Sequence, residues 1–294
     1  MINSKTINDC LKLNFKNKVE FGYLDLIDSK KNNVLSFIYQ EEFINKLNSN
    51  KRIRGVFVNK SLAGKIKSKD IIKIVCDDAR YCFFSLYNYL AKRNYVKFKS
   101  RIDKTAKVDK RAVISGHNVV IGKNVVIEPN VIIYPDVYIG NNCMIKAGAA
   151  LGCDGYELKR TKHAMLSVIH DGRLIIKDNV YVGNNTTIYK GFSLQDTIIG
   201  ENSKIDNLVY IAHSVVIGNG CFVVGNSMIS GSTTIGDNVW VGPGAIISNK
   251  VSIQKGAQIT VGAIVTKNVD ENNQVSGNFA IDHKKFIKFI KSIR

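Results

Sequence analysis

The amino-acid sequence predicts a mostly β protein, in which a parallel β-helix follows a small α/β domain and precedes a short C-terminal helix. The first observation is a run of twelve uninterrupted hexads at 197–268, in which the third residue is always Ile or Val. A fixed period this short is typical of a solenoid. The second observation is that residues 1–98 contain no hexads. The third is a lysine-rich amphipathic pattern at the end of the chain, in 279–294.

The N-terminal residues, 1–98, alternate strand patterns with helical patterns. Apolar runs predict strands at 34–39, 53–58 and 71–76, and helical spacing predicts helices at 41–48 and 79–93. Strands and helices in this order are typical of a layered α/β domain.

The hexads predict a β-helix domain over 99–278. Alternation at period two gives a short strand whose third residue points inward, and Gly, Asn and Asp supply the turns. Three hexads make one triangular coil, and about eight coils must stack to bury their aliphatic side chains. Two segments break the period: 155–173, which we expect to leave the helix as a loop, and a five-residue insert at 192–196. The register predicts that five consecutive third residues point inward: Ile199, Ile205, Ile211, Ile217 and Val223.

The pattern of the last segment, 279–294, predicts a helix with Phe286, either Phe289 or Ile290, and Ile293 on one face and lysines opposite. We expect this helix to pack at the end of an oligomer. A helix on a membrane surface, and a helix that docks an acyl carrier protein, are the alternatives.

Composition limits the partners of the chain. Its 42 Lys and Arg against 24 Asp and Glu give a net charge of +18, which indicates either an acidic partner or a lysine-rich surface without a specific role. No basic and aromatic nucleic-acid module occurs, so we expect no nucleic-acid partner.

No apolar run reaches the ~18 residues of a membrane span, and no apolar leader follows Met1, which predicts a cytoplasmic protein. The six cysteines lack metal-binding spacing, so we expect reduced thiols and no metal.

The segment from Asp206 to His213, DNLVYIAH, carries the most specific motif. It resembles the "DNLVQIAHN" segment of the UDP-3-O-acylglucosamine N-acyltransferases, which are hexapeptide-repeat acyltransferases. The resemblance implies that the β-helix is left-handed and that His213 is the general base. It also implies that the amide of Gly231, eighteen residues or one coil further on, stabilises the oxyanion. We take Asp206 and Asn207 of the same motif as substrate-binding candidates.

Further substrate-binding candidates come from partial matches to the same family. The stretch at 35–43 resembles the "LSF-x-x-N-P-x-Y" segment that holds uridine, with Phe37 matched, Gln40 in place of Asn, and Phe43 in place of Tyr. Two departures from the family also become candidates. His170 stands where the family has "PQ", and Lys250 stands in place of the second residue of a "GH" pair.

The predicted function is transfer of an acyl group from a thioester to the amino group of a UDP-linked amino sugar, in lipopolysaccharide, lipid A or capsule biosynthesis. The resemblance implies a homotrimer, no permanently bound cofactor, and acyl carrier protein or coenzyme A as the donor's carrier. A short-chain N- or O-acetyltransferase of nucleotide sugars is the alternative. A γ-type carbonic anhydrase would need three zinc-binding histidines, and the spaced pair within one coil is absent. A non-catalytic solenoid is the remaining reading.

Overall fold

The computed structural model describes residues 1–277, 280 and 282–293, and the chain divides into two compact units. The first unit consists of Met1–Val96 together with Tyr156–Ile169, and the second begins at Lys97 and excludes that inserted segment. The domain limits expected from the sequence, 1–98, 99–278 and 279–294, stay predictions. Residues 278 and 279, which form the last of these limits, lie outside the described residues.

The first unit is built on a parallel sheet in the order β3-β4-β5-β6. Its two central strands are almost fully buried, as expected of a parallel sheet that is covered on both faces. The sequence predicts strands β4 to β6 and helices α2 and α4, whereas α1, α3 and β1 to β3 are additional. The elements are β1 Ile2–Asn3, α1 Ser4–Leu11, β2 Glu20–Phe21, β3 Tyr23–Leu24, β4 Val34–Ile38, α2 Phe43–Ser49, β5 Ile53–Asn59, α3 Lys60–Ala63, β6 Ile72–Cys76 and α4 Ala79–Asn94.

The second unit begins with three coils of a parallel β-helix, each made of three very short strands. Every strand pairs in parallel with the strand three positions further along the prism, so each coil contacts the coil before it and the coil after it. The strands of these coils are β7 Arg101–Ile102, β8 Lys107–Val108, β9 Val113–Ile114, β10 Val119–Ile121, β11 Val126–Ile127, β12 Ile132–Ile133, β13 Val137–Ile139, β14 Met144–Ile145 and β15 Ala150–Cys153.

The segment expected to be a loop contains an antiparallel hairpin, β16 Leu158–Arg160 and β17 Met165–Ser167. It joins the first unit through helix α4. The Asp78 carboxylate caps α4 by accepting the Tyr81 N–H (3.0 Å), and it also accepts the Lys162 N–H of the hairpin (2.7 Å). Burial disfavours this carboxylate, but the backbone hydrogen bonds outweigh burial and lower the pKa of Asp78.

Five further coils complete the prism, which has three parallel sheets of eight, nine and eight strands. The chain then ends in helix α5. The remaining elements are β18 Leu174–Ile176, β19 Tyr181–Val182, β20 Thr187–Tyr189, β21 Thr197–Ile199, β22 Lys204–Ile205, β23 Tyr210–Ile211, β24 Val216–Ile217, β25 Phe222–Val223, β26 Met228–Ile229, β27 Thr234–Ile235, β28 Trp240–Val241, β29 Ile246–Ile247, β30 Ser252–Ile253, β31 Gln258–Ile259, β32 Ile264–Val265, β33 Gln274–Val275 and α5 His283–Ser292.

Two rows of side chains point into the prism. The third residues of the hexads, including Ile199 and Ile211, are no more than 1% exposed over the five predicted positions, which confirms the register. The first residues are also buried, although many are polar. Their hydroxyls donate to carbonyl groups of the next coil: Ser203 Oγ to Gly218 O (2.9 Å), and Ser227 Oγ to Gly242 O (3.0 Å). Burial of the Ser203 and Ser227 hydroxyls costs little free energy, because each hydroxyl donates to a carbonyl acceptor.

The residue that closes each turn adopts the left-handed backbone region. Asn124, Asn142 and Asn238 have φ values of 55° each, and Gly220 has φ 65°. Asn and Gly tolerate this region better than other residues, which explains their recurrence at the sixth hexad position.

A charged residue in the inward row should break the prism. We expect Ile211→Asp to lower the free energy of unfolding by about 3 kcal/mol or more, because it buries an unpaired carboxylate. Met228→Asp is the matched control, since Met228 sits on the outward row of the same sheet and is 41% exposed. Equal melting temperatures for the two variants would contradict the register.

Helix α5 is capped by Asp282, whose carboxylate accepts the N–H groups of Lys284 (3.1 Å) and Lys285 (3.2 Å). Its apolar side chains are largely exposed, with Phe286 at 46% and Phe289 at 55%. Packing of this helix at the end of an oligomer stays a prediction. Of the helices in the described residues, none is both long enough and apolar enough to cross a bilayer.

Candidate active site

One edge of the prism collects most of the candidate catalytic groups. This edge, which we call the His213 corner, consists of the turns that follow the third strand of each coil. From the second coil to the seventh it comprises residues 134–136, 153–155, 190–196, 212–214, 230–232 and 248–250.

The ring of His213 lies against Gly231, as the eighteen-residue spacing predicts. A Cβ atom added to Gly231 would lie 2.6 Å from both Cε1 and Nε2 of His213, so only a glycine leaves room for this ring. The backbone of Gly231 does not adopt a positive φ, so space rather than conformation requires the glycine. Within the described part of the chain, the Gly231 N–H donates no hydrogen bond. An amide donor therefore lies beside the Nε2 edge of an imidazole.

The other side of the His213 ring is lined by the residues that flank the inserted hairpin. Gly155 precedes the hairpin and His170 follows it, and the Gly155 N–H donates to His170 Nε2 (3.1 Å). The His170 ring is 1% exposed, and its centroid lies 5.8 Å from that of His213. A Cβ on Gly155 would lie 2.8 Å from His170 Nε2 and 3.4 Å from His213 Cδ2, so this position also requires a residue without a side chain.

Phe192, in the five-residue insert, forms the third wall around His213. Its ring meets the His213 ring edge to face with the centroids 4.7 Å apart, and it lies 5.5 Å from the His170 ring. Ser214, directly after His213, takes the left-handed conformation (φ 56°) that Asn or Gly occupies in many other turns. Its hydroxyl accepts the Phe192 N–H (3.3 Å). Ser214 is less favourable than Asn or Gly in this backbone region, but its hydroxyl binds the insert next to His213.

A partly buried ion-pair cluster lies one coil before His213 on the same corner. Lys190 Nζ is 3.1 Å from Asp136 and 3.6 Å from Asp154, and the Lys190 and Asp136 side chains are 12% and 13% exposed. Lys190 holds the same position in its hexad as His213 does in the next coil. The cluster therefore fixes a cation, with its two carboxylates, next to the candidate base.

Tyr189 and Tyr210 form an aromatic pair beside the same turn. Their rings meet edge to face at 5.1 Å. Burial, together with the hydrogen bond to Tyr189, raises the pKa of Tyr210, so this phenol stays protonated at neutral pH. The pair supplies hydroxyl groups and an apolar ring surface near Gly155.

The structure does not bring Asp206 and Asn207 to His213 within one chain. They lie in the turn before β23, and His213 lies after it, at the next corner of the triangle. Both side chains bind neighbouring coils: Asp206 accepts the Gly225 N–H (3.1 Å), and Asn207 accepts the Asn184 N–H (2.6 Å). Asp206 also borders a shallow cavity of about 200 Å³, together with Lys204 and aromatic residues.

Lys250 lies on the His213 corner, one coil beyond Gly231. Its backbone N–H donates to Gly231 O (3.0 Å), and its side chain is exposed. It adopts the left-handed region with φ 61°. The turn therefore fixes the backbone of Lys250, whereas its side chain extends into solvent at the edge of the candidate site.

The uridine-binding candidates belong to the first unit. Phe37 is half-buried, and its ring packs against Phe83 (4.6 Å) and nearly parallel to Tyr39 (5.9 Å, 16°). The Phe43 ring lies 5.7 Å from the Tyr39 ring, and the Gln40 side chain is exposed. The structure therefore adds Tyr39, which the sequence motif does not identify. It also adds Arg80, whose guanidinium stacks 3.8 Å from the centre of the Tyr39 ring.

In residues 1–277, 280 and 282–293, no three His, Cys, Asp or Glu side chains come together as a metal site.

Sequence reasoning identifies His213, Gly231 and His170 but misses Phe192, Gly155, Lys190 and the tyrosine pair. One signal points to Phe192: the insert at 192–196 interrupts the hexads one coil before His213, at the same corner. An insertion in a rigid solenoid is a common place for functional residues.

Comparison with known proteins supports the repeat and the fold. The family model described as bacterial transferase hexapeptide (six repeats) matches residues 118–153 and 196–231. The UDP-N-acetylglucosamine acyltransferase from Campylobacter jejuni has a similar structure, with a TM-score of 0.52 and 21% sequence identity over 66% of this chain and 81% of that one.

Curated relatives match a shorter part of the chain. The UDP-3-O-acylglucosamine N-acyltransferase of Azorhizobium caulinodans is 41% identical over 91 residues, which is 31% of this chain and 25% of the relative. The enzyme of the same name from Methylobacterium nodulans is 44% identical over 86 residues, 29% of this chain and 24% of the relative. The matched segment thus spans about a quarter of the length of these relatives. The chain thus contains bacterial transferase hexapeptide repeats and folds as a left-handed parallel β-helix, and part of it resembles the UDP-3-O-acylglucosamine N-acyltransferases.

Proposed function

We propose that the protein transfers an acyl group from an acyl thioester to the amino group of a UDP-linked amino sugar. The observation that carries this proposal is the contact between His213 and Gly231, which sets a proton acceptor beside an unused amide donor. Both groups accelerate amide formation from a thioester, because the amine loses a proton and the carbonyl oxygen gains negative charge. The similarity to UDP-3-O-acylglucosamine N-acyltransferases supports the class of acceptor and a place in lipopolysaccharide, lipid A or capsule biosynthesis.

The reaction assigns one task to each of the two residues. The sugar nitrogen attacks the thioester carbonyl carbon while neutral His213 takes a proton from that nitrogen, at Nε2, the ring nitrogen beside Gly231. The carbonyl oxygen becomes an oxyanion and accepts the Gly231 N–H, a fixed donor that needs no reorganisation. The carbon–sulfur bond then breaks, and the thiolate takes up a proton to leave as the thiol of its carrier.

The surroundings of His213 suit this chemistry. Phe192 and the buried His170 keep water from two sides of the imidazole. One coil away, Lys190 is held by two carboxylates, so it offers a fixed ammonium donor whose charge is already balanced. Lys250 is placed to approach an anionic group at the opposite end of the site.

The acyl donor and the assembly follow from the same proposal. We assign the thioester to acyl carrier protein or coenzyme A, with no permanently bound cofactor. A chain with a net charge of +18 favours either carrier, because one is acidic and the other bears phosphates.

We further propose a homotrimer with its active sites between neighbouring prisms. In such an assembly Asp206 and Asn207, one corner away from His213 in their own chain, would serve the site of the next copy.

Mass spectrometry of the products tests the activity. UDP-linked amino sugars are incubated with acyl carrier protein or coenzyme A thioesters of short and long acyl chains, and free thiol is measured in parallel. We expect one pairing to give an N-acylated sugar nucleotide together with one thiol per product. Thiol release that does not depend on the amino sugar, or no product from any pairing, would overturn the proposal.

Separately, we propose that the aromatic group of the first unit binds the uracil base, with Phe37, Gln40 and Phe43 as its residues. Stacking of a base on a ring is worth about 1–3 kcal/mol, so Phe37→Leu should weaken UDP binding by about 5- to 150-fold. Leu retains much of the packing against Phe83, and Phe37→Tyr, which keeps the ring, is the control. Calorimetric titration that gives the Leu variant the wild-type affinity would remove Phe37 from the site.

A further inference from the structure

The buried imidazole of His170 has no part in the proton transfer described above beyond shielding the candidate base, which it touches. It begins the chain's return from the hairpin, and Gly155 ends the coil from which the hairpin departs. The hydrogen bond from the Gly155 N–H to His170 Nε2 (3.1 Å) therefore joins the two ends of a fourteen-residue excursion, Tyr156–Ile169. At 1% exposure, His170 is too enclosed to bind substrate directly.

This hydrogen bond fixes the chemical state of the His170 ring. A nitrogen that accepts an N–H bond has a free lone pair, so the proton of the neutral ring is on Nδ1. If His170 were protonated, Nε2 would carry a hydrogen directed at the Gly155 N–H, and the hydrogen bond could not persist. The link between the two ends of the excursion therefore exists only while His170 is neutral.

The ring contacts connect this link to the base. His170 meets Phe192 at 5.5 Å and His213 at 5.8 Å, and Phe192 meets His213 at 4.7 Å, so the three rings form a closed set. Gly155 packs against both histidines, since a Cβ there would clash with His170 Nε2 at 2.8 Å and touch His213 Cδ2 at 3.4 Å. Movement of Gly155 or of the His170 ring therefore displaces the imidazole of His213.

Two charged groups are adjacent in sequence to the hydrogen-bonded pair, Asp171 after His170 and Asp154 before Gly155, and both have partners. Asp171 accepts a backbone N–H of the insert (3.1 Å), and Asp154 pairs with Lys190 (3.6 Å). His213 is thus the titratable side chain in ring contact with His170. Protonation of both imidazoles would place two cations side by side.

We propose that His170 is a positioning residue, whose neutral, Nδ1-protonated ring accepts the Gly155 N–H and thereby holds His213 in place for acyl transfer. This role rests on the proposed function. It makes activity at low pH depend on two groups: His213 must be neutral to accept a proton, and His170 must be neutral to keep its hydrogen bond. Activity is present when both are neutral and is lost as the pH falls.

Two substitutions separate the acceptor from the shape of the ring. His170→Gln offers an amide oxygen near the place of Nε2 and cannot be protonated, whereas His170→Phe keeps a ring and removes the acceptor. We expect the Gln variant to keep kcat within about threefold, and the Phe variant to lose kcat by about tenfold or more, as when a buried donor loses its acceptor. KM for the sugar nucleotide should stay within about twofold in both, because His170 does not contact substrate.

The pH profile supplies a readout that a purely structural role would not change. On the acidic side, kcat/KM of His170→Gln should fall with one proton fewer than that of the wild type, because His213 and the substrate amine titrate in both. Equal slopes, or equal kcat for the Gln and Phe variants, would overturn the proposal.

A measurement without substrate separates this proposal from the proposed function. Nitrogen chemical shifts of ¹⁵N-histidine-labelled protein, with the His170 signals assigned by their absence from the Gln variant, report the tautomer. We expect a protonated Nδ1 and an accepting Nε2 at neutral pH. The opposite tautomer would overturn the proposal even in an active enzyme, and the expected one would support the Gly155 link even if no acyl transfer were found.

Discussion

His213→Ala is expected to lose kcat by about 10²–10⁴-fold, the usual cost of removing a positioned general base. The imidazole is the proton acceptor beside the Gly231 amide, and alanine offers no substitute. Affinity for UDP should not change, because the proposed uracil-binding residues belong to the first unit. Steady-state kinetics with the identified acyl donor and calorimetric titration with UDP give the two measurements.

His283→Ala is the control for the loss of a histidine as such, since His283 is exposed on α5. It should keep wild-type kcat. If His213→Ala retains more than about a tenth of kcat, with the chemical step shown to limit turnover, the assignment of the base fails. Attention would then turn to Lys250, which is exposed on the same corner.

Gly231→Ala should reduce kcat by about 10²-fold while lowering the free energy of unfolding by only about 1–3 kcal/mol. The new Cβ would meet the His213 ring at 2.6 Å, a distance that real Cβ contacts essentially never show, so the ring must move. The φ of Gly231 is acceptable for alanine, so the backbone can stay where it is. The damage therefore falls on the position of the base and of the amide donor rather than on the fold.

Gly116→Ala is the matched control, because Gly116 occupies a turn of the same edge in the first coil and a Cβ there meets no atom within 4 Å. It should leave both kcat and stability unchanged. In a His213→Ala background, the Gly231 substitution should cost little further activity, since the clashing ring is gone. Full additivity of the two substitutions would show that Gly231 acts independently of His213.

The period of the hexads predicts the prism well, because a single physical rule repeats in every coil. The aliphatic residue at each third position points into the prism, because that is where its side chain is removed from water. Ile199, Ile205 and Ile211 are accordingly buried. The same arithmetic places Gly231 against His213, because eighteen residues make one coil. Where the period is intact, distance along the chain converts directly into distance in space.

Where the period is broken, this conversion fails. Phe192 and His170 reach His213 from segments of irregular length, whose path no repeat determines. The motif from Asp206 to His213 misleads for the opposite reason. Its residues are adjacent in sequence, but a triangular coil turns a corner every six residues, so Asp206 and His213 lie on different edges. Tyr39 and Arg80 were missed because the stacking depends on helix α4 reaching across the sheet of the first unit.

The stacking of the prism also determines how it comes apart. Each coil is hydrogen-bonded only to its two neighbours, so a terminal coil can detach by giving up one interface, whereas an inner coil must give up two. His213 closes the fifth of eight coils, and three coils follow it. Fraying that starts at the C-terminal end must therefore pass through those three coils before it reaches the base. The proposed catalytic groups therefore lie in inner coils, and transient fraying of the C-terminal coils leaves these groups in place.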